Sequence, residues 1–278
     1  MSLTFSTPTR LSPSQYGRAL ACPYQFLLAK TPEAQVLVGT MSSGGAAAVG
    51  TIVHGMLERA VTTDLSIPTA FETAWQQLLT HQEARLLKDG STHLVPLAFR
   101  ARGYAVTKLL LRWYLANKPM PIPAPSGTGL PFGPEQRLTD LSGCISGIAD
   151  FIRLGTDGPE IVDYKTGPIF QLNANAEAEI KPAYAQQLQL YAALFYEQAG
   201  CWPTRLLLVD LAGNEHEVGF TESACLQLLD EARHLLAQMQ SAVAAGNPES
   251  MAAPGIEQCR FCQVRPLCGP FEAWSTQI

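Results

Sequence analysis

The chain has 278 residues, 47% of them hydrophobic and 15% charged, enough to bury a sizeable core in one large domain or two small ones. Its formal net charge of −5 argues against the broadly basic surface of a nonspecific nucleic-acid binder, although a local basic groove stays open to it. It has no unbroken apolar run of about 18 residues, and Met1–Arg10 lacks a basic segment followed by an apolar one. Neither a transmembrane helix nor a secretory signal is expected, and a cytoplasmic, reducing location follows. There, seven cysteines point to metal or cluster ligation, or to buried thiols, and away from disulfides.

A helix is expected from Ser12-Pro13, a cap followed by a proline at the first helical position, to about Lys30. A small-residue loop follows over 42–50, then a helix over 51–59. Helical patterning resumes over 69–87 and 94–117, the latter carrying Arg100, Arg102, Lys108 and Arg112, the densest basic stretch of the chain. Residues 118–134, rich in Pro and Gly, read as a loop. Strands are expected at 135–139, 144–154 and 160–165, a helix at 181–198, strands at 205–211 and 215–220, and a helix from Ser223 to about Ala244. The tail from Gly255 to Cys268 is cysteine-rich and irregular. No internal repeat is visible. The order predicts an α/β core of one domain over 1–278, with a mainly helical part (1–118), a loop (119–134), the α/β core (135–250) and a cysteine-rich end (251–278).

The chemistry concentrates in Gly147-Ile148-Ala149-Asp150 and Ile161-Val162-Asp163-Tyr164-Lys165-Thr166-Gly167. As a hairpin, these place Asp150 near Asp163 and Lys165, which project from one face of their strand. Two carboxylates converging with a lysine make a divalent-metal site beside a general base or charge stabiliser, as phosphodiester hydrolysis requires. Hard oxygen ligands favour Mg²⁺ or Mn²⁺. Cys259, Cys262 and Cys268 form a compact run with metal-ligand spacing. A fourth ligand could come from Cys22, Cys144, Cys201 or Cys225, and four thiolates suit zinc or an iron–sulfur cluster.

These residues resemble the PD-(D/E)XK nuclease superfamily, and within it the RecB-type branch that includes the AddB nuclease domain and the CRISPR-associated iron–sulfur exonucleases. Ser12-Pro13-Ser14 with Cys22-Pro23-Tyr24-Gln25-Phe26 looks like the branch's opening helix, and Gly50-Thr51-Ile52-Val53-His54 like its Gly-x-x-x-His motif. The two acidic segments match its metal motifs, with Ala149 where the superfamily name has proline. Gln187-Leu188-Gln189-Leu190-Tyr191 matches its Gln-x-x-x-Tyr helix. The resemblance implies a restriction-endonuclease-like mixed sheet flanked by helices. It implies His54, Asp150, Asp163 and the Tyr164 backbone carbonyl as metal ligands, and Gln187 and Tyr191 as residues that hold DNA or Lys165. It selects Cys22 as fourth ligand of a 4Fe–4S cluster joining the chain ends, with Zn²⁺ the alternative, and leaves Cys144, Cys201 and Cys225 as inert core residues. The implied activity is a metal-dependent deoxyribonuclease, an exonuclease on single-stranded DNA or duplex ends in repair, recombination or antiviral defence. A helicase or CRISPR adaptation complex is the implied partner. The alternative is a non-cutting DNA-binding or assembly subunit of such a complex. Glu135 reads equally as a further acidic group at the site or as an exposed strand residue, and is left out of the ligand set.

Overall fold

The structure is a computed structural model that describes residues 3–40, 45–118 and 131–276. Most of the loop expected over 118–134 and the start of the small-residue stretch at 42–44 lie outside the described residues. The first half is helical: α1 (Pro13–Ala21), α2 (Pro23–Leu28), α3 (Pro32–Thr40), α4 (Ala46–Ala60), α5 (Pro68–Lys88), α6 (Leu97–Arg100) and α7 (Tyr104–Asn117). Then come β1 (Gly133–Thr139), β2 (Ser146–Leu154), β3 (Pro159–Lys165), a ribbon of β4 (Phe170–Leu172) and β5 (Ala178–Ile180), α8 (Pro182–Ala199), β6 (Arg205–Asp210), β7 (Glu215–Glu217) and α9 (Glu222–Ala244). Two short helices, α10 (Ile256–Arg260) and α11 (Gly269–Ser275), close the described chain.

Several boundaries depart from those expected, each for a local reason. The helix anticipated over 12–30 breaks at Cys22 (φ −157°, ψ 96°), because Pro23 disfavours helical geometry at the residue before it. Pro23 then starts α2, just as Pro13, Pro68 and Pro182 start α1, α5 and α8, where the missing N–H costs nothing. The stretch 94–117 is interrupted at Gly103 (φ 82°). The small-residue loop is shorter than the 42–50 expected: Ala46, Ala47 and Ala48 already belong to α4, as their helix propensity favours. Ribbon β4–β5 and helix α3 have no counterpart among the expected elements, and the tail over 255–268, expected to be irregular, contains the short helix α10, with α11 following it.

The main sheet has the order β1-β2-β3-β6-β7. β3 and β6 are parallel, joined by the crossover through α8, and the other neighbours are antiparallel. One core layer lies between the sheet and α1, α8 and α9, with Ile161, Leu188, Leu194, Phe195, Leu208 and Leu229 fully enclosed. A second layer lies on the other face, where Val162, Tyr164 and Leu207 meet Ile52, Met56, Trp75 and Leu111 of α4, α5 and α7. Each buried Leu stabilises the fold by roughly 2 kcal/mol. β3 therefore alternates strictly: Val162 and Tyr164 go to the second layer, and Asp163 and Lys165 are directed toward α8. Among the described residues no helix is long and apolar enough to cross a membrane.

Candidate active site

β2 and β3 pair from Leu154↔Pro159 to Phe151↔Val162 and no further. Beyond that point β3 continues along β6 as far as Lys165↔Asp210, while β2 continues along β1. The two central strands part at Asp150, and its carboxylate fills the fork. The Tyr164 amide, which has lost its strand partner on that side, donates to Asp150 Oδ2 at 2.8 Å. Asp150 Oδ1 faces outward, 3.2 Å from His54 Nδ1 on α4. Buried Ile52, Val53, Met56 and Leu57 press α4 onto the sheet and leave His54 at its rim.

Glu135 completes the group. Its neighbours Pro134 and Gln136 pair with Phe151 and Ala149, so Glu135 stands across from Asp150. Its φ of 49° lies in the left-handed region, which costs a side-chain-bearing residue about 1–2 kcal/mol. Strain of this kind concentrates at functional sites. His54, Glu135 and Asp150 each bring a ligand atom within 4.8 Å of the other two. One imidazole and two carboxylates suit Mn²⁺, and their oxygens suit Mg²⁺.

Behind this group, Asp163, Lys165 and Gln187 form a closed ring of contacts. Lys165 Nζ lies 2.6 Å from Asp163 Oδ2 and donates to Gln187 Oε1 at 3.1 Å, and Gln187 Nε2 donates to Asp163 Oδ1 at 2.8 Å. Apart from the lysine, Asp163 Oδ2 is enclosed without a hydrogen-bond partner among the described residues. The Lys165 ammonium also sits 4.3 Å from the centre of the Tyr184 ring. Tyr191, expected to hold DNA or Lys165, donates its hydroxyl to the Ile148 carbonyl at 2.7 Å and so braces β2. Gly147 makes that contact possible: a Cβ there would lie 2.9 Å from the Tyr191 hydroxyl and 2.8 Å from Pro13 Cδ.

The electrostatics are those of crowded carboxylates. Burial pushes the Asp163 carboxyl up to about 7, and the Asp150 charge adds to the effect while Lys165 opposes it. Burial, then Asp150, also raises Glu135. Burial pulls the His54 imidazole down, but the hydrogen bond to Asp150 and the charges of Asp150, Asp163 and Glu135 outweigh it and hold the imidazole above its ordinary value. A divalent cation would relieve this repulsion, so the donor set and its surroundings fit such an ion.

The basic stretch is less available than its sequence implies. Lys108 Nζ is 2.6 Å and Arg112 Nη1 is 3.9 Å from the carboxylate of Glu72.

Cys22, Cys259, Cys262 and Cys268 line one recess between the two ends of the described chain. Tyr24, Leu28 and Val264 form the small core beneath them, against which Cys22, Cys262 and Cys268 pack. Burial raises both the Cys262 and the Cys268 thiol, and the neighbouring cysteines add to the rise. No three of these sulfurs come within 4.8 Å of one another among the described residues, and the structure does not show the cluster. Cys225 is fully buried, its thiol pushed up to about 11, as an inert core residue should be. Cys144 and Cys201 only pack against the core from a half-buried position, which corrects their placement within it.

Of the residues singled out from sequence, the fold brings Asp150 and His54 into contact and joins Asp163 to Lys165 and Gln187. Glu135, which the sequence leaves open between a further acidic group and an exposed strand residue, stands with His54 and Asp150; its one sequence signal is an acidic side chain on the strand preceding Asp150. No curated protein and no solved structure matches the chain. The profile described as the PD-(D/E)XK nuclease superfamily does match, over residues 10–269, a span that contains α1, both acidic strands and α8. The chain belongs to the PD-(D/E)XK nuclease superfamily.

Proposed function

We propose that the protein is a divalent-metal-dependent exonuclease acting on single-stranded DNA or DNA ends. The observation that carries metal-dependent hydrolysis is the fork between β2 and β3, where Asp150 meets His54 and Glu135 outside while the ring of Asp163, Lys165 and Gln187 stands behind; exonuclease action on single strands or ends rests on the family resemblance. His54, Glu135 and Asp150 would hold Mg²⁺ or Mn²⁺, with Asp163 and the Tyr164 carbonyl as inner ligands. When bound, the ion supplies the positive charge that activates water and steadies the phosphate. Gln187 fixes the Lys165 ammonium, which stabilises the negative charge that develops on the phosphoryl oxygens. Tyr191 keeps β2 in place through the Ile148 carbonyl.

The four recess cysteines are assigned to a 4Fe–4S cluster. A single zinc ion with Zn–S bonds of about 2.3 Å would gather its sulfurs much more closely than a cubane, which takes one thiolate on each of four irons. The four cysteines line one recess, and the choice of the larger group over zinc rests on the resemblance to the iron–sulfur members of the family. Such a crosslink between α2 and the C-terminal segment removes entropy from the unfolded chain, as closure of a long loop does. The acidic net charge favours action beside a DNA-loading partner, a helicase or a CRISPR adaptation complex.

Anaerobically purified protein, assayed with Mn²⁺ on end-labelled and internally labelled single strands, tests this reading. It predicts label released as mononucleotides from an end, together with bound iron and sulfide. Cleavage that begins internally would overturn the exonuclease assignment. Bound zinc without iron would overturn the cluster.

A further inference from the structure

The site described above is strongly acidic for an enzyme that must receive a polyanion. Glu135, Asp150 and Asp163 crowd it, and Lys165 is already engaged by Asp163 and Gln187. A second cation is held next to it. The Tyr184 ring, on the first turn of α8, has the Lys165 ammonium at 4.3 Å and the Lys181 ammonium at 5.4 Å from its centre. Tyr184 and Lys181 are both half-buried, and among the described residues the Lys181 ammonium has no carboxylate partner. Lys181 also occupies the N-cap of α8, a position that ordinarily takes Ser, Thr, Asp or Asn and where the helix dipole opposes a cation. A residue that breaks a local rule without an offsetting contact is expected where function demands it.

We infer that Lys181, steadied on the Tyr184 ring, forms a phosphate subsite that takes the phosphate of the DNA strand next to the one being cleaved. This inference rests on the nuclease reading and adds a substrate contact to it. Both ammonium groups contact the same Tyr184 ring. Lys165 thus serves the reacting phosphate and Lys181 its neighbour, each as a point charge on one strand.

The test uses the full-length protein with labelled oligothymidine, either all-phosphodiester or carrying one neutral methylphosphonate beside the scissile phosphate. Lys181→Ala should raise KM about five- to tenfold, leave kcat within about twofold, and reduce the salt slope of binding by about 0.7. Lys181→Gln, which keeps the aliphatic stem, should do the same. Tyr184→Phe should match the wild type, whereas Tyr184→Leu should raise KM. The methylphosphonate should raise the KM of the wild type but not that of Lys181→Ala. A Lys181→Ala protein with wild-type KM and salt slope overturns the subsite while leaving the nuclease reading intact, as does a remote Lys88→Ala protein with the same defect. A wild type that neither binds nor cuts the oligonucleotide overturns both.

Discussion

The acidic fork and the cysteine recess are both candidate metal sites, yet they are built in opposite ways. At the fork, the side chains rest on strands or long helices, and three of them are oriented by further contacts: Asp150 by the Tyr164 amide, Asp163 by Gln187, and Lys165 by Asp163 and Gln187. In the recess the cysteines sit on a helix junction, a short helix and turns, and no three sulfurs have converged. A site shaped by the fold binds its ion with little rearrangement, whereas a site on short elements draws much of its order from the metal. Chemistry at the fork should therefore be sensitive to single atoms, and the recess should matter chiefly to stability.

The sharpest way to break this contrast is at Lys165. Lys165→Ala should lower kcat about 10³-fold with little change in KM, measured by single-turnover cleavage, because it removes charge stabilisation expressed in the transition state. A comparable loss of kcat in Cys22→Ser, per mole of folded protein, would erase the distinction. That variant should instead lose iron and several degrees of melting temperature.

Next in size is a structural control remote from both sites. The Asp140 side chain is fully buried, accepting from Arg233 Nε at 2.8 Å and from the Ile145 amide at 2.9 Å. Asp140→Asn should cost about 2 kcal/mol in denaturant unfolding, a value discounted because Arg233 stays partly exposed. Burial by itself would raise the Asp140 carboxyl, but Ser142, Arg233 and the Ile145 amide outweigh it and hold the group below its ordinary value. Its stabilisation is therefore complete above about pH 4 and is lost as pH falls through the folded-state value. The wild type should lose stability in that acid range more steeply than Asp140→Asn. Equal slopes would show that the network contributes no charge-dependent stability.

A smaller effect is expected at Glu135. Glu135→Gln should weaken Mn²⁺ binding about tenfold or more, so that by calorimetry it unfolds at the wild-type midpoint without the ion but gains less than the wild type when Mn²⁺ is added. Unchanged affinity would remove Glu135 from the ligand set.

The contrast also explains what the sequence made legible. Asp163 and Lys165 could be read directly, because strand alternation alone puts them on one face, and Gln187 and Tyr191 share a helix face by spacing. Glu135 stayed undecided between site and surface, because its place depends on its register opposite Asp150 and on a left-handed backbone angle, neither of which has a local sequence signal. Cys22-Pro23 carried a clear break signal, which an apolar stripe running on to Leu27 concealed. Ribbon β4–β5 escaped because its strands are short and exposed, with no buried face to enforce a pattern. In the basic stretch over Arg100–Arg112, spacing displays charge but not the Glu72 of another helix that pairs with Lys108 and Arg112.

The central claim, that the fork is a ready-made divalent-metal site independent of the cysteine recess, is tested most directly by titrating anaerobically purified protein, freed of Mg²⁺ and Mn²⁺ but with its cluster retained, with Mn²⁺ and following the free ion by electron paramagnetic resonance. The wild type and Cys22→Ser should bind Mn²⁺ with the same affinity, and Asp150→Ala should lose that binding. Undiminished binding by Asp150→Ala, or its loss in Cys22→Ser, would contradict the account.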